Sequence, residues 1–247
     1  MISYMEQIEE VNDIVKTIEN FDVVKDLPNS SFNIFLGKRR SGKSVLCEYM
    51  IKQMIDAKMV NFVFLFSPTN AGFEFIDNSC RFTEIDKLHN ILENFRKFNS
   101  YNKIQTKKSL MFEYKCVIIL DDMAVKLKSK EFNILDELAC NGRHSAYAPL
   151  SLSFMILSQS LTKVSRCCRL NVDNIFLNTI PSKIELEILL SENFYILDSS
   201  RSACSKARML YHQLVVKNDY QFIAILNYKQ NVTEFSDYIK LYRAELD

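Results

Sequence analysis

Short, almost continuously apolar runs alternate along this chain with longer stretches in which apolar residues return every three or four positions. The runs are Ser31 to Leu36 (SFNIFL), Val60 to Phe66 (VNFVFLF), Cys116 to Leu120 (CVIIL), Leu152 to Leu157, Asn174 to Leu177 (NIFL) and Gln221 to Leu226. Runs this short and this apolar predict strands buried on both faces, which is the condition of a parallel sheet. The periodic stretches predict helices over Tyr4 to Ile18, Lys43 to Ala57, Ile85 to Phe98, Glu131 to Cys140 and Lys183 to Leu190, and a C-terminal one from Phe235. Parallel strands need crossover connections, which are usually helical, so the alternation predicts an α/β domain: a mostly parallel central sheet with helices on both faces. Two polar stretches interrupt the pattern. The Lys-rich one from Asn99 to Ser109 reads as a surface loop or hairpin, and the one from Arg201 to Arg208 as a polar basic segment. The break at Leu27-Pro28-Asn29-Ser30 divides a helical extension, 1–30, from a domain at 31–247, with a core over 31–180 and an elaboration over 181–247.

Composition changes this picture little. A chain of 247 residues with 48% hydrophobic and 25% charged residues can bury a core without disulfides or a structural metal. The charge, 31 Lys and Arg against 30 Asp and Glu, leaves +1, so any basic surface must be local. The candidate patches are Lys103, Lys107 and Lys108; Lys126, Lys128 and Lys130; and Arg201, Lys206 and Arg208. Seven cysteines, with no C-x-x-C spacing and an odd count, point to reduced thiols in an intracellular compartment. No apolar run has the length of a membrane span, and the acidic N-terminus does not suit a signal peptide.

The chemistry concentrates where the first strand gives way to a helix. Gly37-Lys38-Arg39-Arg40-Ser41-Gly42-Lys43-Ser44 fits the phosphate-loop pattern G-x-x-x-x-G-K-[ST] without departure. Its glycines let the backbone curl so that N–H groups face phosphate oxygens, and the helix beginning at Lys43 aims its positive end the same way. Lys43 would then reach the β- and γ-phosphates of ATP, and Ser44 would ligate Mg²⁺. The strand Val117 to Leu120 delivers Asp121 to the carboxyl end of the sheet as a metal carboxylate, with Asp122 placed to polarise the attacking water. The strand ending at Leu157-Ser158 delivers Gln159, either as an amide that satisfies a loop or as a sensor of the γ-phosphate. Gly142 suits a helix C-cap, and Arg143 beside it is either a solvated charge or an arginine finger for a neighbouring subunit.

Taken together, GKRRSGKS, VIILDDM, NGRH and ILSQ resemble the FtsK/HerA superfamily of P-loop ATPases, and within it the genome-packaging ATPases of large DNA viruses of the poxvirus type. Arg169-Leu170-Asn171 also resembles the Arg-x-Asn element of that group. The resemblance runs from about Phe32 to Leu177 and implies a RecA-like sheet with an extra strand between the phosphate-loop strand and the acidic one. It implies a pentameric or hexameric ring of identical subunits that hydrolyses ATP to drive double-stranded DNA into a capsid, with capsid vertex proteins as partners and the host cytoplasm or the virion as its place. It assigns Gly37 to Ser44 to nucleotide, Asp121 with Ser44 to Mg²⁺, Asp122 to water, Gln159 to the γ-phosphate and Arg143 to the finger, with Arg166 and Arg169 as rivals. Many members carry Glu where Asp122 stands, so the shorter side chain here would have to come closer to the water or act through a second one. The phosphate loop alone also fits a nucleotide kinase or a non-motor, ATP-dependent assembly switch.

Overall fold

The computed structural model describes residues 4–69, 71–105, 115–123, 135–140, 151–193, 201–216 and 218–245. Among these residues one sheet collects eight strands: β1 (Phe32–Leu36), β2 (Phe62–Phe66), β3 (Arg81–Phe82), β4 (Lys115–Asp121), β5 (Ser151–Ser158), β6 (Asn174–Leu177), β7 (Phe222–Leu226) and β8 (Ile239–Tyr242). Their order is β3-β2-β4-β5-β1-β6-β7-β8. From β3 to β6 every pairing is parallel, and β7 and β8 close the far edge antiparallel. This is the mostly parallel α/β fold that the alternation predicts. All five residues of β1 are buried. Successive side chains in a strand point to opposite faces, so the burial means that both faces of the central strand are covered.

The polar residues inside these runs pair with each other. Asn33 and Asn174 are fully buried on neighbouring strands, and the Asn174 amide donates to Asn33 Oδ1 at 2.8 Å. Asn33 in turn donates to Ser31 Oγ at 2.9 Å and to the Phe154 carbonyl at 3.1 Å, while Asn174 Oδ1 is buried without a partner.

Several expectations shift. The helix expected to end at Phe98 continues as Asp86–Gln105, through more than half of the stretch read as a loop. That stretch contains no Gly or Pro to stop it. The basic segment at Arg201 is a helix, Arg201–Tyr211. The C-terminal helix from Phe235 lasts four residues before the chain extends into β8. Of the helix expected over Glu131 to Cys140, residues 135–140 are described and helical.

The first residues are fastened to the last. The Phe21 N–H donates to the Leu241 carbonyl at 2.7 Å, and the Leu241 N–H returns a bond to Glu19 at 2.9 Å. The Phe21 ring packs edge-on at 5.1 Å against both Phe176 of β6 and Tyr242 of β8.

Candidate active site

Parallel register brings the candidate residues together. On β4 and β5, Asp121 pairs with Leu157; on β5 and β1, Ser158 pairs with Leu36. The three strands therefore end level, and the residues that follow them, Asp122, Gln159 and Gly37, emerge side by side at the carboxyl edge. Backbone bonds hold that edge. Asp122 N–H donates to Leu157 O at 3.2 Å, Gly37 N–H to Ser158 O at 3.3 Å, and Lys38 N–H to Thr179 O, beyond β6, at 2.8 Å. Because β5 stands between β4 and β1, Gln159 sits within the acidic strand's reach.

The loop from Gly37 to Ser44 turns tightly into the helix Lys43–Asp56. Arg40 and Gly42 both take left-handed backbone angles, with φ of 62° and 87°. At Gly37 a Cβ would come within 2.6 Å of Ser41 Oγ and 3.1 Å of Asn178 Cβ, so any larger residue would displace the Ser41 hydroxyl. Gly42 caps the helix without a side-chain bond, and the first turn carries no acid. Its leading N–H groups thus remain available to an anion, reinforced by the positive end of the helix dipole. The Ser41 hydroxyl is buried with no partner, a donor suited to a phosphate oxygen. Lys43 is buried too. Its ammonium donates to the carbonyls of Gly37 at 2.9 Å and Lys38 at 3.1 Å. Burial lowers the Lys43 pKa, and the charges of Asp122 and Asp121 push the other way.

Opposite the loop, the two acids occupy different environments. Asp121 accepts a bond from Ser44 Oγ at 3.1 Å. Burial first, then the neighbouring Asp122 charge, raises its pKa to about 6 against the pull of Ser44 and Lys43. An undersolvated carboxylate beside a hydroxyl is a pair of hard oxygen donors, which fits Mg²⁺. Among the described residues no group of three or more His, Cys, Asp or Glu is placed to hold a metal. A cation here would complete its shell with water and phosphate oxygens, as Mg²⁺ commonly does. Asp122 is exposed, with φ at 51°, and accepts a bond from the Gln159 amide at 2.8 Å. The amide holds the carboxylate over the cavity of about 330 Å³ that the loop, both acids and Gln159 line.

Two features escape the motifs. Glu185, on the helix Lys183–Asn193, gathers the residues just past Gln159: it accepts from Ser160 Oγ at 2.5 Å, Thr162 Oγ1 at 2.9 Å and the N–H groups of Leu161 and Thr162. Desolvation opposes its charge, but these donors outweigh it and lower its pKa. Tyr220, just before β7, lies against Gly42 and lines the same cavity as the acids. Neither residue belongs to a recognisable spacing; Glu185 reads in sequence as one more exposed helix acid, and Tyr220 as a loop aromatic after Asn218-Asp219.

The finger candidates separate. Arg143 lies outside the described residues. Arg169 is spent on Glu192, to which it donates twice at 3.0 Å, and on the Val164 carbonyl at 2.8 Å. Arg166 is exposed at the start of the helix Arg166–Asn171. Of the basic patches, Lys107, Lys108, Lys126, Lys128 and Lys130 lie outside the described residues, and Lys103 is in the helix Asp86–Gln105. Lys206 is paired with Glu10 at 2.5 Å and Arg208 with Glu187 at 2.6 Å. No described helix is long and apolar enough to cross a membrane.

Residues 19–227 match the family model described as poxvirus A32 protein. No curated protein matches the chain. Among solved structures it is similar to the genome packaging NTPase B204 from Sulfolobus turreted icosahedral virus 2 in complex with sulfate, at 18% identity and a TM-score of 0.55 over 90% of this chain and 100% of that one. The AMPPCP complex of B204 gives 15% identity and 0.52, over 88% and 100%. The pCW3 conjugation coupling protein TcpA, in its monomer form with ATPγS, gives 14% and 0.56, over 87% of this chain and 60% of its own length. At such identities the likeness is one of fold.

Proposed function

The chain belongs to the poxvirus A32 protein family, and from that premise we propose that it is an ATP-hydrolysing motor that drives double-stranded DNA into a viral capsid. The fold likeness to B204, a genome packaging NTPase, supports the reading, and one observation carries it. Ser44 meets Asp121 at 3.1 Å and Gln159 meets Asp122 at 2.8 Å, both at the mouth of an uncapped helix N-terminus.

In this reading the backbone N–H groups of Gly37 to Ser44 and the Ser41 hydroxyl take the phosphates. The Lys43 ammonium leaves the loop carbonyls for the β- and γ-oxygens. Ser44 and Asp121 hold Mg²⁺, which when bound neutralises charge developing on the transferred phosphoryl group. Asp122 accepts a hydrogen bond from the attacking water and aims it in line. Gln159, bonded to that carboxylate, also faces the position of the γ-phosphate, so loss of the phosphate would change which partner its amide serves. A carboxylate steered by an amide suits water activation better than recognition of a substrate hydroxyl, so the kinase alternative gains no support here.

The finer parts of the proposal are a closed ring of identical subunits, pentameric or hexameric, a finger supplied in trans by Arg143 or Arg166, capsid vertex proteins as partners, and work in the host cytoplasm or the virion. Residues 31–180 would form the motor core, with 1–30 and 181–247 added to it. The test is ATPase turnover with and without duplex DNA. Turnover stimulated by DNA and abolished in Lys43→Ala is expected. No turnover under either condition, from protein that still binds nucleotide, would end the motor reading; turnover indifferent to DNA would favour an assembly switch.

A further inference from the structure

We propose that the groove beside the phosphate loop, on the β7–β8 side, is the seat of the nucleotide's base, and that Tyr220 is the platform on which the base stacks. This rests on the reading of the loop as a triphosphate cradle.

The direction of the ligand follows from the sheet order. Asp121, Asp122 and Gln159 follow β4 and β5, on one side of β1. The phosphate that is cleaved must sit there, so the nucleoside must leave toward the other side, past β6. Because β7 runs antiparallel to β6, with Leu177 opposite Ile223, the residues entering β7 stand at the same carboxyl edge. Tyr220 is one of them. A groove of about 870 Å³ opens at that point, a volume within the ordinary range for small-molecule sites. Gly42, Val45 and Tyr220 line both this groove and the smaller cavity, so the two adjoin.

Tyr220 and Val45 have the character of a binding surface. Tyr220 is 59% exposed and Val45 46%, two apolar side chains left in solvent at the lip of a phosphate site. Tyr220 also takes a left-handed φ of 58°, which a bulky residue adopts only where its surroundings impose it. Its ring is set against the loop: a Cβ on Gly42 would lie 3.1 Å from Tyr220 Cδ1. The second glycine of the loop is required by its φ of 87°, and a side chain there would also crowd this ring. An exposed aromatic held beside the phosphates at the nucleoside end offers a base a π-face, and such stacking tolerates any base.

The test compares a non-hydrolysable ATP analogue with inorganic tripolyphosphate, both with Mg²⁺, by calorimetry on the full chain. Tyr220→Ala should weaken the analogue roughly tenfold, about 1.4 kcal/mol, leave tripolyphosphate unchanged, and be rescued by Tyr220→Phe. Equal loss for both ligands would reduce Tyr220 to a prop of the loop, and no loss would remove it from the site; either overturns the proposal. The chain has no tryptophan, so Tyr220→Trp adds a single reporter. Its emission should be quenched by the analogue and not by tripolyphosphate, and an emission indifferent to the analogue overturns the stacking. A wild-type chain that binds neither ligand would sink the cradle itself and the base seat with it.

Discussion

Two adjacent acids occupy different environments, one desolvated and the other exposed, and in the proposed site that difference is what would divide their work. Asp121 is drawn under the loop beside Ser44 while Asp122, one residue on, turns into left-handed backbone and out to solvent. The raised pKa of Asp121 has a consequence for stability. A carboxyl that holds its proton more tightly folded than unfolded stabilises the fold fully below its ordinary value of 3.8 and loses that contribution as pH climbs through about 6. In chelator, the protein should therefore lose as much as about 3 kcal/mol between those pH values. Asp121→Asn should flatten that part of the curve, and denaturant titrations from pH 4 to 7 would read it. A slope that persists in the variant assigns the effect elsewhere. The Asp-Asp pair at the end of an apolar run was legible in the sequence as a site. So were the separate parts expected of its members, metal for Asp121 and water for Asp122; the environments that distinguish them were not, because they depend on where β5 ends and on an amide 37 positions away.

At the scale of elements, the strands were the readable part. Their apolar runs are short and lie between neighbours on both sides, so burial alone dictates their composition. The edge strand β8 was misread as helix because Phe235, Tyr238, Ile239 and Tyr242 satisfy a helical spacing as well as a strand; the free edge of β7 settles the choice by offering backbone partners from Phe222 to Ile225. The helix Lys183–Asn193 shows what no local pattern contains. It presents Glu185 to the turn after Gln159 and Glu192 to Arg169, and so fixes both sides of the segment between β5 and β6. Removing the first tether should act on the chemistry: Glu185→Gln is expected to lower kcat severalfold with little change in KM, since Gln159 loses its anchored base rather than a ligand. An unchanged kcat would make the tether dispensable. Removing the second should act on the fold. The Arg169–Glu192 pair is nearly buried, with side chains 11% and 14% exposed, and Arg169→Ala leaves a carboxylate without its partner, at a cost of about 3 to 5 kcal/mol. Were Arg169 a finger, the variant would keep its stability and lose only turnover, so a denaturation curve decides between the two roles.

For the whole molecule, the proposed ring turns on charge that one subunit would offer to the next. Among the described residues the cations that line the cavity, Arg39, Arg40 and Lys43, all belong to the loop, and the proposed finger is a cation for the far side of the γ-phosphate. Lys206 and Arg208, which in sequence look like part of a basic surface, are tied to Glu10 and Glu187 and hold the first helix and the helix Lys183–Asn193 against the helix Arg201–Tyr211. Arg166 is exposed and opens a helix whose other arginine is committed, which makes it, with Arg143, the group to test. In a ring each nucleotide lies at a head-to-tail interface, so a finger and an acid on different subunits can complement each other. Arg166→Ala and Asp122→Asn should each be inactive alone, down about a thousandfold or more. Mixed in equal amounts, about a quarter of the interfaces would unite an intact Asp122 with an intact Arg166 from its neighbour, and turnover should return in that proportion. The same mixture with Arg143→Ala reads the rival. Recovery from one arginine and not the other identifies the finger, whereas no recovery at any ratio from either would place the missing cation within the same chain and remove the reason for a ring.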